Sequence, residues 1–189
     1  LRILIKNGRL IDPRQVLDQV ADLYIADGLI AAIDNPPLGF KADMEIDASG
    51  LLVIPGAIDL CARVREPGQS QKGTIHSETQ AAAAAGITHL CCLPDTKPII
   101  DTRAVAVLIQ ERAYQSGYAH ILPIGAMTQG LAGHQLAEMH ALREAGCVGV
   151  SQLRYGIKDS QVLMRCLEYA STFDLIAFFQ SEDQALSPE

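Results

Sequence analysis

"LLVIPGAIDLCARVREPGQ", residues 51–69, is the stretch on which the reading of the fold turns. Its first half is a near-continuous apolar run, the pattern of a strand covered on both faces. Its second half turns polar at once, with Asp59, Cys61, Arg63, Arg65 and Glu66 crowded into eight residues. Upstream, the chain reads as short strands with tight turns. "ILI" leads to a turn at Lys6-Asn7-Gly8, "RLID" follows, and "VADLYI" runs to Asp27-Gly28, a strong type I′ hairpin signal. "LIAAI" ends at Asn35-Pro36-Pro37, and "MEIDA" stops at Ser49-Gly50. Residues 1–50 therefore form a small β unit, a sheet or half-sandwich, and a second unit starts at Leu51.

Downstream of that boundary, apolar runs alternate with helical stretches. The strands are expected at Leu52–Leu60, Thr88–Leu93, His120–Ala126, Cys147–Ser151 and Leu175–Gln180. The helices between them are expected at Thr74–Ala85, Thr102–Ser116, His134–Ala145 and Ser160–Phe173. Gly86 and Gly146 stand just past helices, where a left-handed residue closes the last turn. Strict strand–helix alternation predicts a parallel sheet with right-handed crossovers. Five such strands make either an open doubly wound sheet or the first part of a (β/α)₈ barrel, and periodicity does not separate the two. In both, function sits at the carboxyl ends of the strands.

Composition narrows the class. The 189 residues are 49% hydrophobic and 20% charged, with a formal net charge of −7. That balance describes a folded globular protein and argues against nucleic-acid or anionic-membrane partners. No apolar run reaches the roughly 18 residues of a membrane span. "LRILIKNGRL" has no signal-peptide pattern, and the missing initiator Met points to a trimmed start. The five cysteines show no C-x-x-C spacing, which suggests reduced thiols in a cytoplasmic protein.

Taken in order, "IKNGRLIDP", "ADLYIADGLIAAI", "IDASGLLVIPGAIDL", "REPGQ", "AAAAAGIT", "LPDTKPIIDT", "PIGAMTQGLAG" and "LAEMHALREAGCVGVS" resemble the dihydroorotase branch of the amidohydrolase superfamily. The likeness runs along nearly the whole chain. It implies an α/β fold in which part of a β-sandwich, residues 1–50, precedes a partial (β/α)₈ TIM barrel, residues 51–189. About five barrel strands are present; in a family member of usual length the last three strands and the rest of the sandwich would follow Glu189. It also implies hydrolysis of a cyclic amide through one or two zinc ions.

The resemblance breaks at the metal site. His-x-His is expected at the first barrel strand end, and Cys61 and Arg63 stand there. A carboxylate is expected near the fourth strand end, where Gln152 and Leu153 stand. A histidine is expected at the fifth, which reads Gln180-Ser181-Glu182-Asp183. Arg65 is kept at a position the family uses for the substrate carboxylate, but its expected Asn partner is Asp95. One thiolate is short of the three or four ligands a zinc site needs. A guanidinium about 4 Å from a divalent ion would be repelled by about 8 kcal/mol at an effective dielectric of 20. Arg63 is therefore expected to pair with a carboxylate such as Asp59 or Asp95, and the Arg65–Asp95 pair to be at most a vestigial substrate site.

The expectation is thus a catalytically inactive, dihydroorotase-like pseudoenzyme with no cofactor. It resembles the non-catalytic subunit that partners the catalytic chain of bacterial aspartate carbamoyltransferase in pyrimidine biosynthesis, and homo-oligomers are expected of the full-length form. The alternatives are an active cyclic amidohydrolase with a rebuilt metal site and a small-molecule sensor that uses Arg65.

Overall fold

The computed structural model describes residues 1–180 and 182. The chain divides into two compact units, Leu1–Pro55 and Gly56–Glu189.

The first unit is one mixed sheet, built from β1 (Arg2–Asp12), β2 (Leu17–Ala26), β3 (Leu29–Ile33), β4 (Met44–Asp47) and β5 (Leu52–Val53). The order is β3-β2-β1-β4, and β5 also pairs with β1. A sandwich would require a second layer against it. The Asp27-Gly28 hairpin forms with both residues at positive φ, 53° and 78°, as a type I′ turn requires. Leu10, Ala21 and Leu23 are its buried centre, packed by Ile5, Ile25, Ile33 and Val53. The turn expected at Lys6-Asn7-Gly8 is instead a β-bulge inside β1. Ile5 pairs with Leu23 and Gly8 with Ala21, so three steps on one strand oppose two on the other. Asn7 takes φ 59° and its backbone N–H donates to Asp22 Oδ1 at 2.9 Å. The sequence signal for φ > 0 was real, but it serves a bulge.

The second unit alternates β6 (Ala57–Ala62), α1 (Ile75–Ala84), β7 (Ile87–Cys92), α2 (Arg103–Ser116), β8 (His120–Ala126), α3 (Met139–Glu144), β9 (Gly149–Leu153), α4 (Ser160–Thr172) and β10 (Ile176–Phe179). The spatial order β10-β9-β8-β7-β6 is strictly sequential, and every pairing is parallel. A doubly wound sheet would reverse its strand order at a switch point. None occurs among the described residues, so the sheet is the curled wall of a partial barrel. The run expected as one strand, Leu52–Leu60, splits into β5 and β6. Pro55 interrupts it, and a Cβ at Gly56 would collide with the Thr88 side chain.

Neighbouring side chains on the strands go to opposite layers. Leu90, Cys92 and Ile121 pack on the helix side against Ile75, Ala106 and Ile109. Cys91, Leu93, Ile124, Ala126 and Leu153 pack together on the other side. The helix expected over His134–Ala145 is only Met139–Glu144, because the preceding chain is used as a folded loop. Thr128 bridges Leu136, the Gln129 N–H donates to Gln135 O at 2.8 Å, and the Ala137 N–H donates to Met127 O at 3.0 Å. The edge strands expose apolar side chains: Ile58 and Leu60 on β6, Ile176 and Phe179 on β10. Among the described residues no helix is long and apolar enough to cross a membrane.

Candidate functional site at the strand carboxyl ends

The β6–β7 ladder slips between Asp59 and Ala62, which face Leu90 and Cys92. Leu60 and Cys61 therefore sit in a bulge at the strand's end. Cys61 is exposed, and its backbone N–H donates to Asp59 Oδ1 at 2.8 Å. Beyond the bulge, Arg63 Nε lies 3.3 Å from Asp95 Oδ2, which joins the ends of β6 and β7 by an ion pair. The same two ends share backbone bonds: the Leu93 N–H donates to Ala62 O at 3.1 Å, and the Lys97 N–H to Pro67 O at 2.9 Å. Gly68, at φ 103°, lies so close to Lys97 that no Cβ would fit. Glu66 is committed elsewhere, accepting from Arg112 at 2.7 Å and from the Ile75 N–H, at the start of α1, at 2.9 Å.

Asp95 is thus the partner of Arg63. Arg65 is half-buried with φ 62°, and among the described residues no carboxylate lies within ion-pair distance of it. The two positions expected to form a vestigial substrate site, Arg65 and Asp95, are not brought together as a pair.

At the end of β9, Gln152 is 2% exposed. Its Oε1 accepts from the Thr128 hydroxyl at 2.9 Å, and its Nε2 donates to Leu131 O at 2.9 Å. The Thr128 oxygen also accepts from the Gly133 N–H at 2.9 Å. Leu153 takes φ 54° and packs with Leu93, Ala126 and Leu131. At the end of β10, Gln180 Nε2 donates to Glu182 Oε2 at 2.8 Å in an exposed pair. Ser181 and Asp183 lie outside the described residues. Sequence reasoning missed Thr128, Leu131 and Gly133, the partners that make Gln152 structural. They lie 19–24 positions upstream of Gln152, and no local pattern marks that distance.

These four positions do not fit a divalent metal. A guanidinium only donates, both ends of the Gln152 amide are already bonded, and Cys61 alone is too few ligands. Among the described residues no three His, Cys, Asp or Glu side chains converge in a way that could hold an ion. Four of the five histidines lie in aromatic contacts: His89 stacks on His120 at 5.0 Å, His76 meets Tyr118 edge-on at 5.1 Å, and His140 lies against Phe173. A groove of about 300 Å³ runs beside β6, lined by Asp59, Cys61, Arg63, Glu78, Ala81 and Ala85. A larger hollow of about 460 Å³ lies between the end of α2 and the start of β8, away from the strand carboxyl ends.

The thiols separate cleanly. Cys91, Cys92, Cys147 and Cys166 are buried. Burial, and for Cys92 the nearby Asp95 charge, pushes the Cys92 thiol up to about 12; burial does the same for Cys147. Raised values keep these groups as inert neutral thiols at neutral pH. In the native protein a maleimide should label Cys61, with the other four labelled only after denaturant, as peptide mass mapping would read.

Residues 50–189 match the family described as Dihydro-orotase-like. The chain belongs to the dihydroorotase-like family. It is 49% identical over 187 residues to a dihydroorotase-like protein of Pseudomonas aeruginosa, covering 99% of this chain and 44% of that protein. It is 41% identical over 186 residues to a dihydroorotase of Syntrophotalea carbinolica, covering 98% of this chain and 44% of that protein. This dihydroorotase-like chain thus spans less than half the length of these relatives. Among solved structures, an L-hydantoinase (dihydropyrimidinase) from Arthrobacter aurescens superposes with a TM-score of 0.81 at 22% identity, over 97% of this chain and 41% of that one. At that identity the likeness shows fold alone. It agrees with the sequential strand order: the wall of a partial barrel, with Cys61, Arg63, Gln152 and Gln180 at or next to its strand ends.

Proposed function

We propose that this dihydroorotase-like chain belongs to a protein that does not hydrolyse cyclic amides and instead serves as a structural subunit of aspartate carbamoyltransferase in de novo pyrimidine synthesis. One observation carries the reading. At the positions where the family resemblance expects metal ligands, Arg63 is tied to Asp95, Gln152 to Thr128 and Leu131, and Gln180 to Glu182. The relatives at 49% identity support it, being named dihydroorotase-like protein, whereas those near 40% are named dihydroorotase. The partner is the catalytic carbamoyltransferase chain, in a cytoplasmic assembly of several copies of each, with no zinc required.

A second reading is an active cyclic amidohydrolase whose ligands come from outside residues 1–189. The dihydroorotase names of the relatives near 40% identity favour it. Co-expression of the full-length protein with the carbamoyltransferase chain tests the first. Co-elution, with carbamoyltransferase activity or assembly lost when the dihydroorotase-like protein is omitted, is the expected result. Separate elution with unchanged activity rejects the subunit role.

A further inference from the structure

At a strand end whose family relatives are expected to gather ligands around a cation, this chain supplies a cation of its own. We propose that Arg63 is a resident counter-cation that replaces the metal at the mouth of the barrel and, with Asp95, clamps the end of β6 to the end of β7. The inference rests on the reading that this rim is metal-free, and it adds what holds the rim together instead.

The need for a clamp is visible in the ladder. The β6–β7 register slips between Asp59 and Ala62, leaving Leu60 and Cys61 in the bulge. Pairing resumes just beyond, through the Leu93 N–H to Ala62 O. The Arg63–Asp95 pair comes next along both chains, at 3.3 Å, and the Lys97 N–H to Pro67 O bond follows. The ion pair therefore sits just beyond the bulge, between two backbone ties. Charge logic agrees. Asp95 is 25% exposed, and Arg63 is the cation at ion-pair distance from its carboxylate. A divalent ion would supply two charges and demand further ligands. A guanidinium supplies one, permanently, and demands none.

The test is a double-substitution cycle on the full-length protein with Arg63→Met, Asp95→Asn and both together. Each single change should lower the thermal midpoint by about 1–3 °C, the range of a partly exposed pair. The double variant should fall no further than the worse single, and 1 M salt should shrink the difference. A chelator should leave the wild-type midpoint unmoved. Nuclear magnetic resonance gives a direct reading if the shifts are small: the Arg63 Nε signal should move in Asp95→Asn, and the Asp95 carboxylate signal in Arg63→Met. Additive losses, with neither signal moving and no zinc bound, would overturn the clamp and leave the metal-free reading standing. Stoichiometric zinc, with a midpoint that falls on chelation, would overturn both.

Discussion

Full-length protein, stripped of adventitious metal and given dihydroorotate, is expected to open the ring no faster than buffer does, and added zinc should not change that. The size of the expected deficit follows from the nucleophile. A catalytic metal lowers the pKa of bound water from 15.7 to about 7, so its absence costs on the order of nine powers of ten in hydroxide at neutral pH. Nothing at the strand ends among the described residues makes up that factor: Cys61 is a single thiol, and Arg63 is a fixed positive charge engaged with Asp95. Returning histidines by Cys61→His with Arg63→His should not restore turnover either. Gln152 faces Thr128 and Leu131, and Leu153 is packed among Leu93, Ala126 and Leu131. Metal content by mass spectrometry beside a coupled hydrolysis assay reads both arms. Zinc-dependent hydrolysis by the unaltered protein would favour the rebuilt-site reading.

Gln152→Leu should be among the most damaging single substitutions in the barrel wall. Leucine nearly conserves volume, so the loss is one of bonds. Leu131, itself 4% exposed, would keep a carbonyl with no donor, and the fully buried Thr128 hydroxyl would lose its acceptor. Each buried orphan costs about 1–3 kcal/mol, so the change should destabilise by about 3 kcal/mol. For a unit of this size that lowers the thermal midpoint by about 6–12 °C. Thr128→Val breaks the same network from its other end and also orphans the Gly133 N–H. The two changes together should cost less than their sum. Calorimetry of the single and double variants decides it; a near-neutral Gln152→Leu would mean that the network is incidental.

The barrel wall was legible in the sequence because it repeats one physical motif. Apolar runs of strand length, separated by helical stretches closed by glycine, admit a parallel sheet and little else, and His120–Ala126 falls where the sequence places it. The errors cluster where a single residue decides between two backbones. Lys6-Asn7-Gly8 reads as a turn and forms a bulge, where a Cβ at Gly8 would collide with the Val53 side chain from a distant strand. Residues 134–138 read as the start of a helix, and only the bonds that Gln135 and Ala137 make to Gln129 and Met127 show otherwise. At the rim, the structure puts Cys61, Arg63, Gln152 and Gln180 at or next to strand ends, and their partners left no mark in the sequence. Of the two carboxylates expected to be open to Arg63, the structure uses Asp95; Asp59 bonds the Cys61 N–H instead. The left-handed backbones of Arg65 and Leu153 left no mark in residue type, since neither is glycine, asparagine or aspartate.

The strand order β6 through β10 has a consequence for biosynthesis. Each strand pairs with the one made just before it, so no strand waits on a distant piece of chain to find its neighbour. As the polypeptide leaves the ribosome, the wall can grow one strand at a time from β6, with two margins raw at any moment, β6 itself and the newest strand. A nascent chain built this way asks a chaperone to shield Ile58 and Leu60 on the first margin, and Ile176 and Phe179 for as long as β10 is the second, and not the whole sheet.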